Sequence, residues 1–447
     1  MKVAVIGAGI IGVTSAWELA ADGHEVTVFE RRGSVAAEAS FANAGLVAPG
    51  YVAPWAAPGM PGKVLGQMFS KHAAVRVHAT LRAGEAAWLW RWWRACRLRT
   101  YQTNRRRMQR LAEYSRKRLQ TLTSTLRLDY ERADGCLVLL RSPRDEALAQ
   151  AGLAMLAANG QRFEVIDAAQ CRAIEPGLGD ETPLHRGIYL PDDEVGNCRQ
   201  FATLLRTEAQ RAGVRFRFHT EVQQIGAGPA PRLVHLHVPP AEASVLLNIV
   251  ADTAAAHDTV PMPLQPITEG FDAIVVCAAM ASRELLRPHG LKLPLHPVYG
   301  YSITAPLRRV DPHGEIGPRA ALMDERYKVA ISRLGARVRV AGTAEIGGTP
   351  SRHDPRAIQT LYKVLHDWFP GCARLSQAQV WKGARPMLPD GPPVLGASGV
   401  AGVWLNLGHG ANGWALACGS ARLLADSIAG RPAAIDIDGL GLARLLD

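Results

Sequence analysis

The chain has 447 residues, of which 48% are hydrophobic and 20% are charged, and this balance excludes a disordered or fibrous protein. Its length is sufficient for two domains, and its formal charge of +11 favours anionic partners such as nucleic acid, acidic lipid or carboxylates. The seven cysteines are scattered without a CxxC pair, so we expect neither a metal site nor a disulfide framework. There is no secretory signal and no apolar run approaching ~20 residues, which predicts a cytoplasmic protein.

The amino terminus has the pattern of a dinucleotide-binding unit. Lys2–Ile6 is a short apolar run typical of a buried parallel strand, and it leads directly into the sequence GAGIIG. Helical spacing follows over residues 10–22, and a second strand over Glu25–Phe29 ends in Glu30. The order strand, glycines, helix, strand and acid predicts that this segment binds a dinucleotide.

Each residue of this motif has a physical task. Gly7 makes the tight turn, Gly9 lets the backbone approach a pyrophosphate, and Gly12 lets the helix pack closely on the strand. The free N–H groups at the start of the helix favour the phosphates. Glu30 is placed to accept hydrogen bonds from ribose hydroxyls, and it would repel a 2′-phosphate, which disfavours NADP.

The segment after the second strand distinguishes FAD from NAD. An NAD dehydrogenase continues into another βα unit, whereas residues 39–45 (ASFANAG) are small, polar and glycine-rich. Here the sequence resembles the D-amino acid oxidase superfamily of FAD-dependent oxidoreductases, and within it the small, catalytic subunits of bacterial D-amino acid dehydrogenases. The motifs that carry the resemblance are SFANAG (40–45), APGYVAPWAAPG (48–59), RMQRLAEYSRKRL (107–119), LPDDEVGNC (190–198), DERYKVAISR (324–333), ARPMLPDGPPVLG (384–396) and LNLGHGANGWALACGSARLLAD (405–426).

The resemblance implies an α/β fold with two domains. A discontinuous Rossmann-like FAD-binding domain would comprise residues 1–66, 191–290 and 381–447, and an α+β substrate domain with an antiparallel or mixed sheet would comprise 67–190 and 291–380. The sequence itself predicts strands at 214–218 and 271–278. Residues 226–270, rich in Pro, Ala and Thr, are predicted to form a surface insert. Ala279 stands where the family usually has a glycine.

A second glycine-rich turn is predicted near the carboxy terminus. A strand at 403–406 is followed by GHGANGW and by a helix at 415–428, whose amino terminus would face the flavin according to the resemblance. The residues expected to contact FAD from motif and resemblance are Gly7, Gly9, Ile11, Gly12, Glu30, Arg31, Ser40, Asn43, Ala44, Gly45, Val222, Ala278, Gly408, Gly410, Asn412 and Gly413.

The second domain is expected to bind the substrate. Residues 324–333 and 337–342 predict a hairpin through Gly335, and period-two alternation would direct Tyr327, Val329, Ile331 and Arg333 into a pocket. By the resemblance Arg333 would bind the substrate carboxylate; its alternative role is a strand-end arginine reaching solvent.

Four further residues complete the candidate catalytic set. The resemblance places Arg385 next to the flavin, where the alternative is a surface arginine, and places Tyr299 and Tyr301 near the active site, although relatives carry a basic residue in place of Tyr299. His409 is either a proton donor or a residue that positions the backbone of its turn. Tyr51 and Trp55 either cover the flavin or substrate, or anchor their proline-rich loop.

The function implied by the resemblance is FAD-dependent oxidation of a D-amino acid to a 2-oxo acid and ammonia, by hydride transfer from Cα to flavin N5. Electrons would pass to a quinone or another non-oxygen acceptor on the inner face of the plasma membrane. The run WLWRWWR (88–94) suits either contact with anionic lipid or packing in a core.

Three alternatives stay open from the sequence: an enzyme acting on sarcosine, glycine or D-hydroxyproline, a basic FAD-containing RNA-associated protein, and an NAD-dependent dehydrogenase. We expect no nucleic-acid partner, because the basic residues do not lie on a recognisable RNA-binding module.

Overall fold

A computed structural model describes residues 1–67, 70–78, 83–158, 160–238, 265–310 and 314–445. Its strands are β1 (Lys2–Ile6), β2 (Glu25–Phe29), β3 (Leu46–Val47), β4 (Val75–Val77), β5 (Ala133–Leu140), β6 (Glu164–Asp167), β7 (Arg186–Val195), β8 (Arg215–Arg217), β9 (Thr220–Gly226), β10 (Arg232–His237), β11 (Ile267–Gly270), β12 (Ala273–Val276), β13 (His296–Pro306), β14 (Arg309–Val310), β15 (Gly314–Glu315), β16 (Ala321–Asp324), β17 (Val329–Leu334), β18 (Arg337–Ile346), β19 (Gln379–Met387), β20 (Val394–Ala397) and β21 (Val403–Leu407). Its α-helices are α1 (Ile10–Ala21), α2 (Met60–Gln67), α3 (Ala83–Ala95), α4 (Leu98–Leu126), α5 (Pro143–Ala158), α6 (Ala168–Ile174), α7 (Cys198–Arg211), α8 (Ser282–Leu286), α9 (Pro355–Trp368) and α10 (Gly413–Ile428).

The six-stranded sheet has the order β20-β21-β12-β1-β2-β8, and its strands come from three separate stretches of the chain. All of its pairs are parallel except β20–β21. Apolar side chains from α1, α7 and α10 pack on one face of β1 and β2, and the three-stranded sheet β11-β10-β9 covers the other face. Because both faces are covered, the central strands are almost wholly apolar, as the sequence predicted.

The ten-stranded sheet has the order β19-β13-β18-β17-β16-β5-β7-β3, with β4 added beside β18 and β6 beside β7. It is mixed, since β16–β5 and β18–β4 are parallel and the remaining pairs are antiparallel. Helix α9 packs on one face, where Leu361 and Trp368 contact a core that includes Ile331 and Val340. The opposite face of these strands lines a cavity. This architecture confirms the predicted α/β fold with a mixed-sheet second unit.

Several local predictions differ from the structure in their limits. The predicted hairpin forms with Gly335 in its turn, but its strands are Val329–Leu334 and Arg337–Ile346 rather than 324–333 and 337–342. Two expected domain boundaries fall inside strands, since 190/191 lies within β7 and 380/381 within β19. The two ends of the predicted insert form β10 and β11, and residues 239–264 lie outside the described residues. All seven cysteines are buried and free, and no helix within the described ranges is long and apolar enough to cross a membrane.

Candidate active site

A large cavity lies between the carboxyl ends of β1, β2, β12 and β21 and the free face of the ten-stranded sheet. Parallel strands end at the same edge of a sheet, so the turns that follow these four strands meet there. Every residue predicted to contact FAD, except Gly12, lines this cavity. The same cavity is lined by Arg385 and by Ala330 and Ala341 of the ten-stranded sheet. A cofactor and a small substrate therefore have a common space.

Two helices begin at this cavity. Helix α1 begins at Ile10 and α10 begins at Gly413, and both residues line it. The Ile10 N–H donates to Ser40 Oγ at 3.1 Å, and Asn412, immediately before α10, makes no side-chain cap. The first N–H groups of a helix carry partial positive charge, so the two termini suit the pyrophosphate and a region where negative charge develops.

The first glycines of the motif hold the β1–α1 turn against its surroundings. Gly7 has a φ of +97°, and a Cβ at this position would lie 2.7 Å from the Cys277 carbonyl oxygen. A Cβ on Gly12 would overlap the Gly7 carbonyl oxygen. Gly12 thus serves close packing of helix against turn and not contact with a ligand, which explains its absence from the cavity wall.

Two charged residues lie at the end of β2. The Glu30 carboxylate accepts from the Ala8 and Arg32 backbone N–H groups, both at 2.8 Å. Burial raises the pKa of Glu30, and the two backbone hydrogen bonds oppose that rise. Arg31 is paired with Glu38 at 2.6 Å. The Glu30 carboxylate can accept hydrogen bonds from the ribose and adenine end of FAD, and Arg31 can donate hydrogen bonds to it. Together with the two helix termini, these two residues fit such a dinucleotide.

Ala279 adopts a backbone conformation that favours glycine. Its φ is +47°, within the left-handed region that disfavours a side chain, and it lines the cavity directly after β12. The alanine at this position therefore holds local backbone strain beside the cavity.

Arg385 is the candidate catalytic residue whose side chain is best placed. Its Nη1 donates to the Thr343 carbonyl oxygen at 2.8 Å, and its guanidinium lies across Gly300, where a Cβ would overlap it. Burial lowers the pKa of Arg385 to about 10. Among the described cations lining the cavity, Arg31 pairs with Glu38 and Lys328 with Glu325, whereas Arg385 has no carboxylate within 4.0 Å.

The prediction that Arg333 enters the pocket is wrong. On β17 the cavity face carries Ala330, whereas Val329 and Ile331 pack towards α9. Arg333 lies on the same face of β17 as Val329 and Ile331 and does not line the cavity. Its Nε donates a hydrogen bond to the Gly335 carbonyl oxygen at 3.1 Å. Side chains alternate strictly between the two faces of a strand. An assignment displaced by one residue therefore places every predicted pocket residue of the strand on the opposite face.

The two tyrosines also project away from the cavity. Tyr301 borders it, but its ring packs in the core beneath α9 and its hydroxyl donates to Glu345 at 2.6 Å. Tyr299 does not line the cavity, and its ring lies 4.4 Å from the buried Lys382 ammonium. Because the Tyr301 hydroxyl is bonded to Glu345 and the Tyr299 ring lies against Lys382, this geometry does not direct either side chain at a substrate in the cavity.

His409 lines the cavity, but its imidazole forms a hydrogen bond with a residue of α10. Its Nε2 lies 3.0 Å from Ser420 Oγ on α10, and burial lowers the pKa of His409 to about 3. The ring is therefore neutral near neutral pH and holds its turn against α10. Of the two roles left open by the sequence, the geometry favours positioning of the backbone over proton donation.

Sequence reasoning missed Trp381, and it left the role of Tyr51 open. Trp381 lines the cavity on β19, and the run WKGAR gave a signal, because alternation places Trp381, Gly383 and Arg385 on one face. Tyr51 also lines the cavity, and its hydroxyl donates to Glu325 at 2.8 Å and accepts from Lys328 at 3.0 Å.

The fold and the cavity together define an oxidoreductase built around a dinucleotide cofactor. Residues 2–427 match the family model of the DAO, or FAD dependent oxidoreductase, family, and the chain belongs to this family. FAD dependence replaces the NAD-dependent alternative. The chain is 43% identical to a D-amino acid dehydrogenase of Cereibacter sphaeroides, covering 99% of this chain and 95% of the relative. A D-amino acid dehydrogenase of Rhizorhabdus wittichii is 42% identical, with 99% and 100% covered. Glycine oxidase from Geobacillus kaustophilus has a similar fold, with a TM-score of 0.71 at 20% identity and 99% and 98% of the two chains covered.

Proposed function

We propose that this enzyme oxidises D-amino acids at the Cα–N bond, giving 2-oxo acids and ammonia. Arg385 is the observation that carries the proposal, because a guanidinium facing a cavity without a carboxylate partner favours a substrate that brings one. The names of the full-length relatives support the D-amino acid as the substrate.

The chemistry divides between cofactor and protein. FAD would be held by the glycine turns and the two helix termini, and once bound it would supply the two-electron oxidation. Arg385 binds the carboxylate through the N–H groups that Thr343 leaves free and fixes the orientation of Cα, so that its main contribution is positioning. The amino terminus of α10 stabilises negative charge developing in the cavity. The neutral and hydrogen-bonded His409 is not required as a base.

The test compares two arginine variants. Arg385→Gln is expected to raise the KM for a D-amino acid about a hundredfold, since a charged hydrogen-bonded contact of about 3 kcal/mol is lost. Arg333→Gln is the matched control, because its side chain lies away from the cavity, and its KM should stay near that of the wild type. Anaerobic flavin bleaching with D-amino acids, their L-enantiomers, sarcosine, glycine and D-hydroxyproline identifies the donor. Bleaching by sarcosine, glycine or D-hydroxyproline but by no other D-amino acid would refute the proposal.

We further propose that the electrons leave to a quinone or another non-oxygen acceptor at a membrane surface. Helix α3 places the tryptophans of the run 88–94 in two environments. Trp88 and Trp92 are buried, whereas Trp90 and Trp93 are 57% and 50% exposed, and the rings of the exposed pair stack with their centroids 5.0 Å apart. Four exposed arginines lie close to them in sequence: Arg91, Arg94, Arg97 and Arg99. Aromatic rings among cations suit an interface with anionic lipid.

Vesicle binding tests this surface. The wild type is expected to sediment with vesicles containing phosphatidylglycerol and not with pure phosphatidylcholine, and a Trp90→Ser/Trp93→Ser variant should lose that binding. Leu148→Ser is the control, because Leu148 is 65% exposed on a different helix. Equal binding by all three proteins would contradict the assignment, and reduction of a quinone analogue faster than oxygen would support the acceptor.

A further inference from the structure

A row of directly paired residues crosses five strands of the ten-stranded sheet beneath the cavity. The row is Met323, Ala330, Ala341, Ser302 and Trp381. Directly paired residues of neighbouring strands carry their Cβ atoms on the same face, so the row forms one strip. All of its members except Ser302 line the cavity, and none is charged. The strip ends at the Trp381 indole.

The indole and the Arg385 guanidinium lie side by side on this face. A Cβ on Gly300 would overlap the Arg385 guanidinium, and a Cβ on Gly383 would overlap the six-membered ring of Trp381. Gly300 and Gly383 are direct partners across β13 and β19, and such partners have Cβ positions about 5 Å apart. The two glycines thus create adjacent spaces, one filled by a cation and one by an aromatic ring.

The indole is held from its outer side. Phe41, from the loop after β2, stacks on Trp381 with ring centroids 6.5 Å apart and an interplanar angle of 28°. The Arg199 guanidinium lies 4.1 Å from the Phe41 ring centre. Two planar side chains, Phe41 and Arg199, therefore support the Trp381 ring in one orientation, which a residue that selects between ligands requires.

We propose that Trp381 determines side-chain specificity, by forming the apolar wall that receives the substituent on the substrate Cα. This inference rests on the proposed binding of the carboxylate by Arg385. With the carboxylate on the guanidinium, the substituent reaches the neighbouring indole and the apolar strip. The substrate class is accordingly amino acids with uncharged, apolar side chains, and a charged side chain would be desolvated there without a partner.

Calorimetric titration with carboxylates that lack an amino group tests this assignment without turnover. Acetate, propionate and 3-methylbutanoate share one anionic group and differ in apolar tail. The wild type is expected to bind more tightly by about fourfold for each buried methylene. Trp381→Ala should reduce this discrimination to less than twofold per carbon, and Trp381→Phe should retain most of it. Trp404→Phe is the control, since Trp404 lies on β21 and does not line the cavity.

Arg385→Gln separates the two claims. It should weaken all three carboxylates by a similar factor and preserve their ratio, so unchanged binding in this variant would overturn the carboxylate assignment and not the tail wall. Unchanged tail discrimination in both Trp381 variants would overturn the specificity assignment. A Trp381→Ala protein that releases FAD but keeps the discrimination once FAD is restored would show that the indole serves the cofactor, which also overturns it.

Discussion

Replacing Lys382 by methionine is expected to destabilise the protein by about 3–5 kcal/mol, the usual cost of breaking a buried ion pair. The Lys382 side chain is 1% exposed, and its Nζ lies 2.7 Å from Glu345 and donates to the Thr349 and Arg352 carbonyl oxygens at 2.8 Å. Glu345 is 3% exposed and also accepts from Tyr301. Methionine fills similar space but leaves this carboxylate buried without its cation.

The loss should depend on pH in a defined direction. Burial by itself raises the pKa of Glu345, but hydrogen bonds from Lys382, Tyr301 and His78 outweigh it, and the pKa lies below its ordinary value. A carboxyl with a lowered folded pKa contributes stability that is present above the unfolded pKa of about 4.3 and is lost as the pH falls. Without Lys382 this contribution disappears, so the wild type and the variant should differ most near neutral pH and converge in acid.

Denaturant unfolding followed by circular dichroism at several pH values measures both effects. A Lys382→Met/Glu345→Gln double variant should recover at least half of the loss, because the uncompensated charge is gone. Lys363→Met is the control: Lys363 is 35% exposed and pairs with Asp367 on one helix, so it should cost less than about 1 kcal/mol. A loss in Lys382→Met no larger than this control, or no recovery in the double variant, would refute the reasoning.

Three other substitutions test separate features. Burial raises the pKa of Asp193 to about 7, so the ionisation of this carboxyl disfavours folding as the pH rises from about 4 to 7. Asp193→Asn should therefore increase the free energy of unfolding by up to about 4 kcal/mol near pH 8 and leave it unchanged near pH 4. Ala279→Gly should stabilise the protein by about 0.5–1 kcal/mol in thermal unfolding, because it relieves a φ of +47°. Gly12→Ala should abolish flavin retention, measured as absorbance per protein, because its Cβ overlaps Gly7, whereas Gly62→Ala, which meets nothing within 4 Å, should retain flavin.

The cofactor half of the site was predictable because its signals are local. The turn after β1 must carry glycine where φ is +97° at Gly7 and where Gly12 approaches the Gly7 carbonyl, and these constraints fall within a few residues of sequence. The buried parallel strands β1 and β12 are equally local, since each is a short apolar run. Such features need no knowledge of distant parts of the chain.

The substrate half was predicted less well because it depends on which face of each strand meets the cavity. The assignment of Arg333 followed the alternation along β17 correctly but started it on the wrong residue, and only the packing of Ile331 against α9 fixes that choice. The same uncertainty applied to Tyr301, whose partner Glu345 lies 44 positions away in sequence. Alternation along a strand leaves two possible faces for the cavity, and only a tertiary contact determines which face it is.

Arg385 illustrates how strand pairing builds the functional part of such a site. Between the pairs Tyr299–Glu345 and Tyr301–Gly342, two residues of β18 oppose one of β13, which is a β-bulge. Thr343 lies in that bulge with a φ of +59°, an unfavourable conformation for a β-branched residue, and its carbonyl oxygen accepts the Arg385 hydrogen bond. The strain is therefore located where it orients the guanidinium across Gly300. The position of Arg385 thus depends on the bulge in the neighbouring strand β18. The sequence around residue 385 cannot reveal that bulge, because it lies in a different part of the chain.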